Sequence, residues 1–200
     1  MSGPAIVRQE KDMGKTESYA ERAARIRVRA GFLLAAIYLL WAQPTPVGFL
    51  GGAAVALAGL LLRAWSAGCL EKNRELATGG PYAYTRNPLY LGSAVAGLGF
   101  AIAGGRWWFF LLLFTFFATV YWPVIRREQT RLERLFPEDF PAYAQAVPMF
   151  WPRLRPWVGR DSSVGFSVER YRKNREYRAF LGSLVIVLFL LGKVFFERVS

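Results

Sequence analysis

Long uncharged stretches constrain the fold of this chain more than any other feature of its sequence. Residues 30–62 carry no charge but are interrupted by Pro44 and Pro46, and residues 89–105, 107–125 and 179–192 are also uncharged. A helix needs about 20 mostly apolar residues to cross a bilayer, or fewer when basic ends reach the headgroups. The sequence therefore predicts an all-α, polytopic integral membrane protein with about five transmembrane helices, at about 27–42, 47–68, 89–104, 107–124 and 179–196.

Two short turns and two stripes of small residues predict how these helices pack. Pro44-Thr45-Pro46 predicts a tight hairpin between the first two helices, and Gly104-Gly105-Arg106 predicts the same between the third and fourth. Small residues on one face of a membrane helix allow close backbone approach, although they could also line a pocket. The second and third helices carry such faces at Gly52, Ala56, Gly59, Gly92, Ala96 and Gly99.

The distribution of basic residues predicts the orientation of the helices. Of 26 Lys and Arg residues, all but Arg106, Lys193 and Arg198 lie before the first span, between the second and third, or between the fourth and fifth, when Arg27, Arg29 and Arg63 at the helix ends are counted with these segments. Cytoplasmic segments carry an excess of Lys and Arg, so the N-terminus is predicted inside and the C-terminus outside, in the cell inner membrane. The net charge of +12 also favours attraction to anionic lipid headgroups. No nucleic-acid partner is predicted, because no basic cluster accompanies a known binding module.

The residue types that are missing narrow the possible chemistry. The chain has no histidine and one cysteine, Cys69. An internal disulfide, His-based acid–base catalysis and the usual His or Cys zinc sites are therefore excluded, and no metal site is predicted. Chemistry in this chain has to depend on positioning, electrostatics, carboxylates, tyrosines or a cofactor.

The first polar stretch that indicates a function is LEKNRELATGGPYAYTRNP, residues 70–88. Thr78-Gly79-Gly80-Pro81 predicts a turn, and Pro88 favours an extended Asn87 and suits the first turn of the third helix. The unpaired N–H groups at such a helix start can bind an anion. The alternative is a belt of interfacial aromatic side chains formed by Tyr82, Tyr84 and Tyr90.

The second polar stretch is RREQTRLERLFPEDFPAYAQAVPMFWP, residues 126–152. The spacing predicts a helix that places the carboxylate of Glu128 on an apolar face with Leu132, Leu135 and Phe136. A carboxylate on an apolar face beside a basic membrane surface is a candidate binding group. The alternative is that Glu128 only pairs with an arginine one turn away, which contributes a few tenths of a kcal/mol.

Together the two stretches resemble a known enzyme family. The pattern GPYxxxRxPxYxG is followed by ExxxLxxxFxxxFxxYxxxVP and a later Trp-Pro, over about residues 51–152. This arrangement is similar to the isoprenylcysteine carboxyl methyltransferase and phospholipid methyltransferase superfamily of integral membrane enzymes. The resemblance implies S-adenosyl-L-methionine as cofactor and methyl donor, bound in a pocket on the cytoplasmic side.

The resemblance also implies which residues form the site. It assigns no certain catalytic residue, with Tyr90 and Arg127 in positioning roles. Three positions depart from the family pattern: Asn87 stands where His is usual, Pro137 where Gly is usual and Phe140 where Tyr is usual. Asn87 can still form hydrogen bonds but cannot carry a proton charge. The implied cofactor contacts are Tyr82, Asn87, Pro88, Tyr90, Glu128 and the backbone of Arg74, Glu75, Leu76 and Ala77.

The predicted organisation has four parts. A cytoplasmic N-terminal segment (1–26) precedes the transmembrane methyltransferase core (27–152), a basic cytoplasmic linker (153–178) and a C-terminal transmembrane helix (179–200). Residues 18–29 form either a short interfacial helix or a solvated basic tail. The resemblance does not reach the last two parts, and the sequence predicts no role for them.

The function implied is S-adenosylmethionine-dependent methyl transfer to a lipophilic or lipidated acceptor that enters from the bilayer. An isoprenylcysteine-type carboxylate fits this description and needs no general base, whereas a phospholipid amine has to lose a proton. Two other functions stay open. One is an NADPH-dependent membrane reductase, although no dinucleotide fingerprint is present. The other is a non-enzymatic membrane protein. The sequence makes no prediction of oligomeric state.

Overall fold

The computed structural model describes residues 30–71, 74–159 and 165–199, with side chains up to residue 196. This part of the chain is helical and contains no β-strand, as the uncharged runs predict. The predicted segment 1–26 and residues 18–29 lie outside the described residues. The helices are α1 (Ala30–Trp41), α2 (Pro46–Gly68), α3 (Pro88–Ala103), α4 (Trp108–Leu135), α5 (Phe140–Ala146), α6 (Val168–Lys173) and α7 (Tyr177–Val199), with a 3-10 turn at Gly80–Ala83.

Helices α2 and α3 lie antiparallel with their backbones in contact. A Cβ atom added to Gly52 would overlap the backbone of Gly99, and one added to Gly59 would overlap the backbones of Gly92 and Ala96. Glycine is needed at these positions because no side chain fits between the two helices. The contact confirms close packing as the role of the two small-residue stripes.

The two short turns meet at one end of the bundle, which we call the turn end. The backbone N–H of Gln43, between α1 and α2, donates a 2.9 Å hydrogen bond to the carbonyl of Gly104, after α3. Gly105 has a φ of +69°, and a Cβ atom there would collide with the Gln43 carbonyl. Thr45 caps α2, because its hydroxyl accepts a 3.1 Å hydrogen bond from the N–H of Gly48. Both predicted turns are confirmed.

The opposite end, where α2 ends and α3 begins, is the polar end, and α7 runs from there to the turn end. Near the turn end, the ammonium group of Lys193 donates hydrogen bonds to the carbonyls of Leu39 (2.9 Å), Leu40 (3.4 Å) and Ala42 (2.9 Å). The last carbonyls of a helix lack partners within it, and a cation there also suits the helix dipole. Lys193 therefore caps α1 and fixes α7 against it.

Helix α4 corrects one prediction. The sequence predicts a membrane span at 107–124 and a separate helix after Arg126, but the structure contains one continuous helix over both. Residues 117–121 form a wider, π-helical turn, in which the N–H of Trp122 donates to the carbonyl of Phe117. Pro123 directly follows and has no N–H group, so the ordinary hydrogen bond of that turn is lost. The wider turn lets the helix continue past the proline.

Among the described residues, three helices are long and apolar enough to cross a membrane: α2, α4 and α7. Helices α1 and α3 are apolar but shorter, and α3 has 16 residues. The fold is thus that of an all-helical membrane protein, and the count of five spans stays a prediction.

Candidate functional site

The two polar stretches, residues 70–88 and 126–152, pack against each other at the polar end. The backbone N–H of Arg86 donates a 3.0 Å hydrogen bond to the carbonyl of Pro148. The side-chain amide of Asn87 donates a 2.8 Å hydrogen bond to the carbonyl of Met149. These partners are more than 60 residues apart in the chain. Long-range hydrogen bonds therefore join the two motifs into one framework.

Asn87 is buried at the point where the chain enters α3. Its side chain is 5% exposed, and its backbone N–H donates a 3.4 Å hydrogen bond to the hydroxyl of Thr85. The Thr85 hydroxyl in turn donates to the carbonyl of Phe150 at 2.9 Å. Pro88 follows as the buried first residue of α3, where its missing N–H has no cost. Asn87 thus anchors the second motif, and its role as a cofactor ligand stays a prediction.

Tyr143 connects α5 to the turn at Gly80–Ala83. Its hydroxyl donates a 2.8 Å hydrogen bond to the carbonyl of Tyr82. Its ring lies in a buried cluster with Phe140 and Val147, and Leu76 packs against that cluster from the first motif. The backbone around Leu76, which the resemblance assigns to the cofactor pocket, therefore lies beside the second motif.

Three polar side chains of these stretches have buried atoms without a hydrogen-bond partner in the described part of the chain. They are the hydroxyl of Tyr82, the Nε atom of Arg86 and both amide atoms of Gln129. Tyr82 is 6% exposed and Gln129 is 9% exposed. A buried polar atom left unpaired costs about 1–3 kcal/mol, and folded proteins contain few of them. These unpaired atoms make the three side chains candidates for hydrogen bonds with a polar ligand.

The buried face of α4 differs from the predicted one. The sequence predicts that Glu128 and Leu135 share an apolar face, but the Glu128 side chain is 41% exposed and Leu135 is 46% exposed. The buried residues are Ile125 and Gln129, and the Glu128 carboxylate lies 3.9 Å from Arg131. Successive residues point about 100° apart around a helix, so a buried Gln129 turns Glu128 away from the buried face.

An apolar groove of about 520 Å³ lies between α3 and α4. Ala94 in its wall lies one helical turn after Tyr90. The wall residue Phe117 stacks on Tyr121 at 4.7 Å, and Tyr121 contacts Tyr90 edge to face at 5.7 Å. Among the described residues, no charged side chain lines it. The lining residues are Ala94, Leu98, Phe110, Leu113, Phe114, Phe117, Ala118, Trp122, Phe150 and Trp151.

Much of the chain is similar in sequence to known proteins. Residues 49–139 match the sequence model of the phospholipid methyltransferase family. Over 150 residues the chain is 33% identical to the cobalt-zinc-cadmium resistance protein CzcN of Cupriavidus metallidurans, an alignment that covers 74% of this chain and 68% of that protein. The chain belongs to the phospholipid methyltransferase family. This family lies within the integral membrane methyltransferases, so the superfamily resemblance seen in the sequence is confirmed.

A second relative of the chain is the nickel-cobalt-cadmium resistance protein NccN of Alcaligenes xylosoxydans xylosoxydans. It is 37% identical over 142 residues, which cover 70% of this chain and 65% of that protein. The chain thus spans about two thirds of the length of each of the two relatives. No solved structure gives a significant match to the chain.

The family match includes every residue that the sequence assigns to the cofactor, and the structure places them at different depths. The sequence analysis missed two candidate residues, Gln129 and Arg86. Gln129 could have been found, because it lies one turn after Ile125 on the buried stripe of α4. The Arg74 guanidinium contacts Glu71 at 3.1 Å. Among the predicted residues, Tyr82, Asn87 and Pro88 are buried, Leu76, Ala77, Tyr90 and Glu128 are partly buried, and Arg74, Glu75 and Arg127 are exposed.

Burial also sets the protonation state of the groups at this site. It raises the pKa of the Tyr82 hydroxyl well above its usual value, and the neighbouring Tyr143, Cys69, Glu176 and Tyr90 raise it further. The hydroxyl is therefore a neutral hydrogen-bond donor at physiological pH. Burial likewise raises the pKa of the Cys69 thiol, against a smaller lowering by Arg170. Cys69 is thus a poor nucleophile.

Proposed function

We propose that this chain is an S-adenosylmethionine-dependent methyltransferase that acts on a lipophilic acceptor at the cytoplasmic face of the inner membrane. The observation that carries the proposal is the set of buried, unpartnered polar atoms on Tyr82, Arg86 and Gln129. They come from the two motifs by which the chain resembles membrane methyltransferases, and they lie within the family match.

The chemistry of these side chains fits the cofactor. The Tyr82 hydroxyl donates one hydrogen bond, and the Gln129 carboxamide both donates and accepts, which suits ribose hydroxyls or an adenine edge. Arg86 offers a guanidinium N–H for the methionine carboxylate. We place Asn87, Tyr90 and the backbone of 74–77 around these groups, with Glu128 at the edge. The cofactor would supply a methyl group on a sulfonium, whose in-line displacement depends on alignment and on exclusion of water.

The apolar groove supports a lipophilic acceptor. Aromatic and aliphatic side chains line it, and its end near Tyr90 lies at the start of α3. Each buried CH₂ group contributes about 0.8 kcal/mol, so an acyl or prenyl chain would bind there strongly. A carboxylate acceptor of the isoprenylcysteine type suits the histidine-free chain, because a carboxylate needs no general base. A phospholipid amine is the alternative acceptor.

Calorimetric titration of the purified protein in detergent tests the proposal. We expect binding of S-adenosylhomocysteine and no binding of NADPH. Gln129→Leu removes the carboxamide and should weaken the binding of S-adenosylhomocysteine about tenfold or more, since each hydrogen bond contributes about 0.5–1.5 kcal/mol. The matched control is Gln145→Leu, at an exposed glutamine of α5, which should bind like the wild type.

Each unfavourable outcome points to another function. Binding of NADPH alone would indicate a reductase, and binding of neither molecule would indicate a non-enzymatic membrane protein. Equal affinity in Gln129→Leu and the wild type would remove Gln129 from the cofactor site.

A second candidate function is a contribution to metal resistance, which the names of both relatives motivate. In the described ranges, no group of three or more His, Cys, Asp or Glu side chains could hold a metal ion. We therefore propose that such a contribution would act through methyl transfer. A deletion strain would be grown on cobalt, nickel and cadmium with the wild-type gene or Gln129→Leu. Rescue by both genes alike would contradict this link.

A further inference from the structure

A segment beyond the family match holds the end of α2. We call residues 165–176 the C-terminal clamp. The Nε atom of Arg170 donates a 2.8 Å hydrogen bond to the carbonyl of Gly68, and the N–H of Ser167 donates to the same oxygen at 3.0 Å. The side-chain amide of Asn174 donates to the carbonyl of Ala67 at 2.9 Å. These carbonyls have no partner within α2, so the clamp fixes its last turn.

The clamp also reaches α3 through a buried ion pair. Glu176 is 8% exposed, and its Oε1 atom lies 2.5 Å from the Nε atom of Arg63 on α2. The same guanidinium donates to the carbonyl of Leu89 at 3.3 Å and to the hydroxyl of Ser93. Leu89 and Ser93 flank Tyr90 in the first two turns of α3. A continuous set of contacts therefore leads from the clamp to the residues around Tyr90.

The clamp backbone adopts an unfavourable conformation directly before Glu176. Arg175 has a φ of +55°, in the left-handed region where glycine is the usual residue. Such conformations persist only where surrounding contacts hold them, and they are concentrated at functional sites. Here the hydrogen bonds of Asn174 and the ion pair of Glu176 hold the chain on both sides.

We propose that Glu176 is a positioning residue of the methyl-transfer site, which fixes Tyr90 and the adjoining end of the apolar groove by way of Arg63. The inference rests on the proposed function and extends it to a segment outside the family match. A displacement of about 1 Å in a reacting geometry costs about 10²-fold in rate. The clamp should therefore affect the rate of methyl transfer more than the binding of the acceptor tail.

Steady-state kinetics with a prenylated or acylated acceptor test this role. Glu176→Gln removes the charge that orients Arg63, and we expect kcat to fall about 10–100-fold while KM for the acceptor changes less than about threefold. Ser93→Ala removes one of the contacts of Arg63 with α3 and should lower kcat by a smaller factor. The matched control is Glu169→Gln, at an exposed glutamate of α6, which should keep wild-type kinetics.

Hydrogen exchange gives a readout that needs no cofactor. The N–H groups of Tyr90 and Leu91 donate to the carbonyl of Asn87 at 3.1 and 3.0 Å. In Glu176→Gln we expect faster exchange in the peptide that covers residues 88–93. The peptide around Gly99, where α3 packs on α2 at the turn end, should exchange as in the wild type.

A charge swap separates positioning from simple stabilisation. The double variant Arg63→Glu, Glu176→Arg can restore the ion pair but removes the guanidinium from Leu89 and Ser93. We expect it to regain the detergent stability that Glu176→Gln loses but to keep a low kcat.

Two results would overturn the inference. One is recovery of wild-type kcat in the charge swap. The other is a Glu176→Gln variant with wild-type kcat and unchanged exchange at residues 88–93. A wild-type chain that does not bind S-adenosylhomocysteine would overturn the proposed function instead, and the exchange experiment would still decide whether the clamp holds α3.

Discussion

The hydroxyl of Tyr143 lies 2.8 Å from the carbonyl oxygen of Tyr82, and this hydrogen bond joins the two motifs through residues 61 positions apart in the chain. Tyr143 thereby uses its own hydroxyl to hold the backbone of a residue whose hydroxyl has no partner among the described residues. Tyr143 is part of the framework, and we propose that the Tyr82 hydroxyl binds a ligand. The two should therefore respond differently to loss of the hydroxyl group.

Tyr82→Phe should weaken ligand binding without destabilising the protein. The hydroxyl has no partner to lose, so its removal relieves a desolvation cost, and we expect an unchanged or higher melting temperature in detergent. Affinity for S-adenosylhomocysteine should fall about twofold to tenfold, the value of one hydrogen bond. Calorimetry and thermal melting measure both effects, with Tyr177→Phe as an exposed control. A clear drop in melting temperature would mean that the hydroxyl has a structural partner.

Tyr82 and Tyr143 should make the stability of the protein depend on pH in the alkaline range. Burial raises the pKa of both hydroxyls above the usual value of about 10. Because the folded pKa exceeds the unfolded one, their contribution is fully present below about pH 10 and is lost as pH rises toward the folded pKa. We expect the melting temperature of the wild type to fall above about pH 10. The double variant Tyr82→Phe, Tyr143→Phe should lose less over that range, and an identical alkaline loss would exclude these tyrosines as its cause.

Glu128 and Gln129 should contribute unequally to cofactor binding. The Glu128 side chain is 41% exposed and the Gln129 amide is buried without a partner in the described part of the chain. We expect Glu128→Gln to reduce affinity for S-adenosylhomocysteine less than Gln129→Leu does, because solvent screens an exposed charge. Glu133→Gln, on the exposed side of α4, should have no effect. A larger loss of affinity in Glu128→Gln than in Gln129→Leu would mean that the Glu128 carboxylate is a central contact of the cofactor.

Filling the apolar groove should raise KM for long acceptors. Ala94→Phe places a ring in the wall of the groove one turn from Tyr90, whereas Ala54→Phe adds the same ring at an exposed position of α2. Radiolabelled methyl transfer to acceptors of graded chain length would compare the two variants. We expect the penalty in Ala94→Phe to grow with chain length and Ala54→Phe to match the wild type. Equal rates for short and long acceptors in the wild type would contradict entry from the bilayer.

Reporter fusions test the predicted orientation. The charge distribution predicts that residues between α5 and α6 face the cytoplasm and that the C-terminus lies outside. Alkaline phosphatase and fluorescent-protein fusions after Val158 and after Ser200 should therefore report opposite sides. The same side for both would mean that α7 does not cross the membrane.

The sequence predicted the helices well because membrane spans are marked by a missing property, charge, over a long run. The bounds of α2 and α3 agree with the prediction to about one residue. The sequence could not predict that α4 continues past Pro123, since the hydrogen bonding of the wide turn depends on local geometry. Nor could the sequence choose between Glu128 and Gln129. Which of them faces inward depends on the rotation of α4, and α4 packs on the Phe140 and Tyr143 cluster through Leu132. The pairing of Arg63 with Glu176 joins residues 113 apart, which no local pattern encodes.

Since the sequence predicts that α3 crosses the bilayer, its short length has a consequence for the surrounding lipid. Its 16 residues span about 24 Å along the helix axis, less than the roughly 30 Å of a typical hydrocarbon core. The backbone contact with α2 prevents α3 from sliding to compensate, so we expect the bilayer to thin locally beside the groove. Thinning would bring the headgroup of an acceptor down toward Tyr90 before the acceptor binds. Membrane thickness would then regulate turnover, and vesicles of longer-chain lipids should support slower methylation.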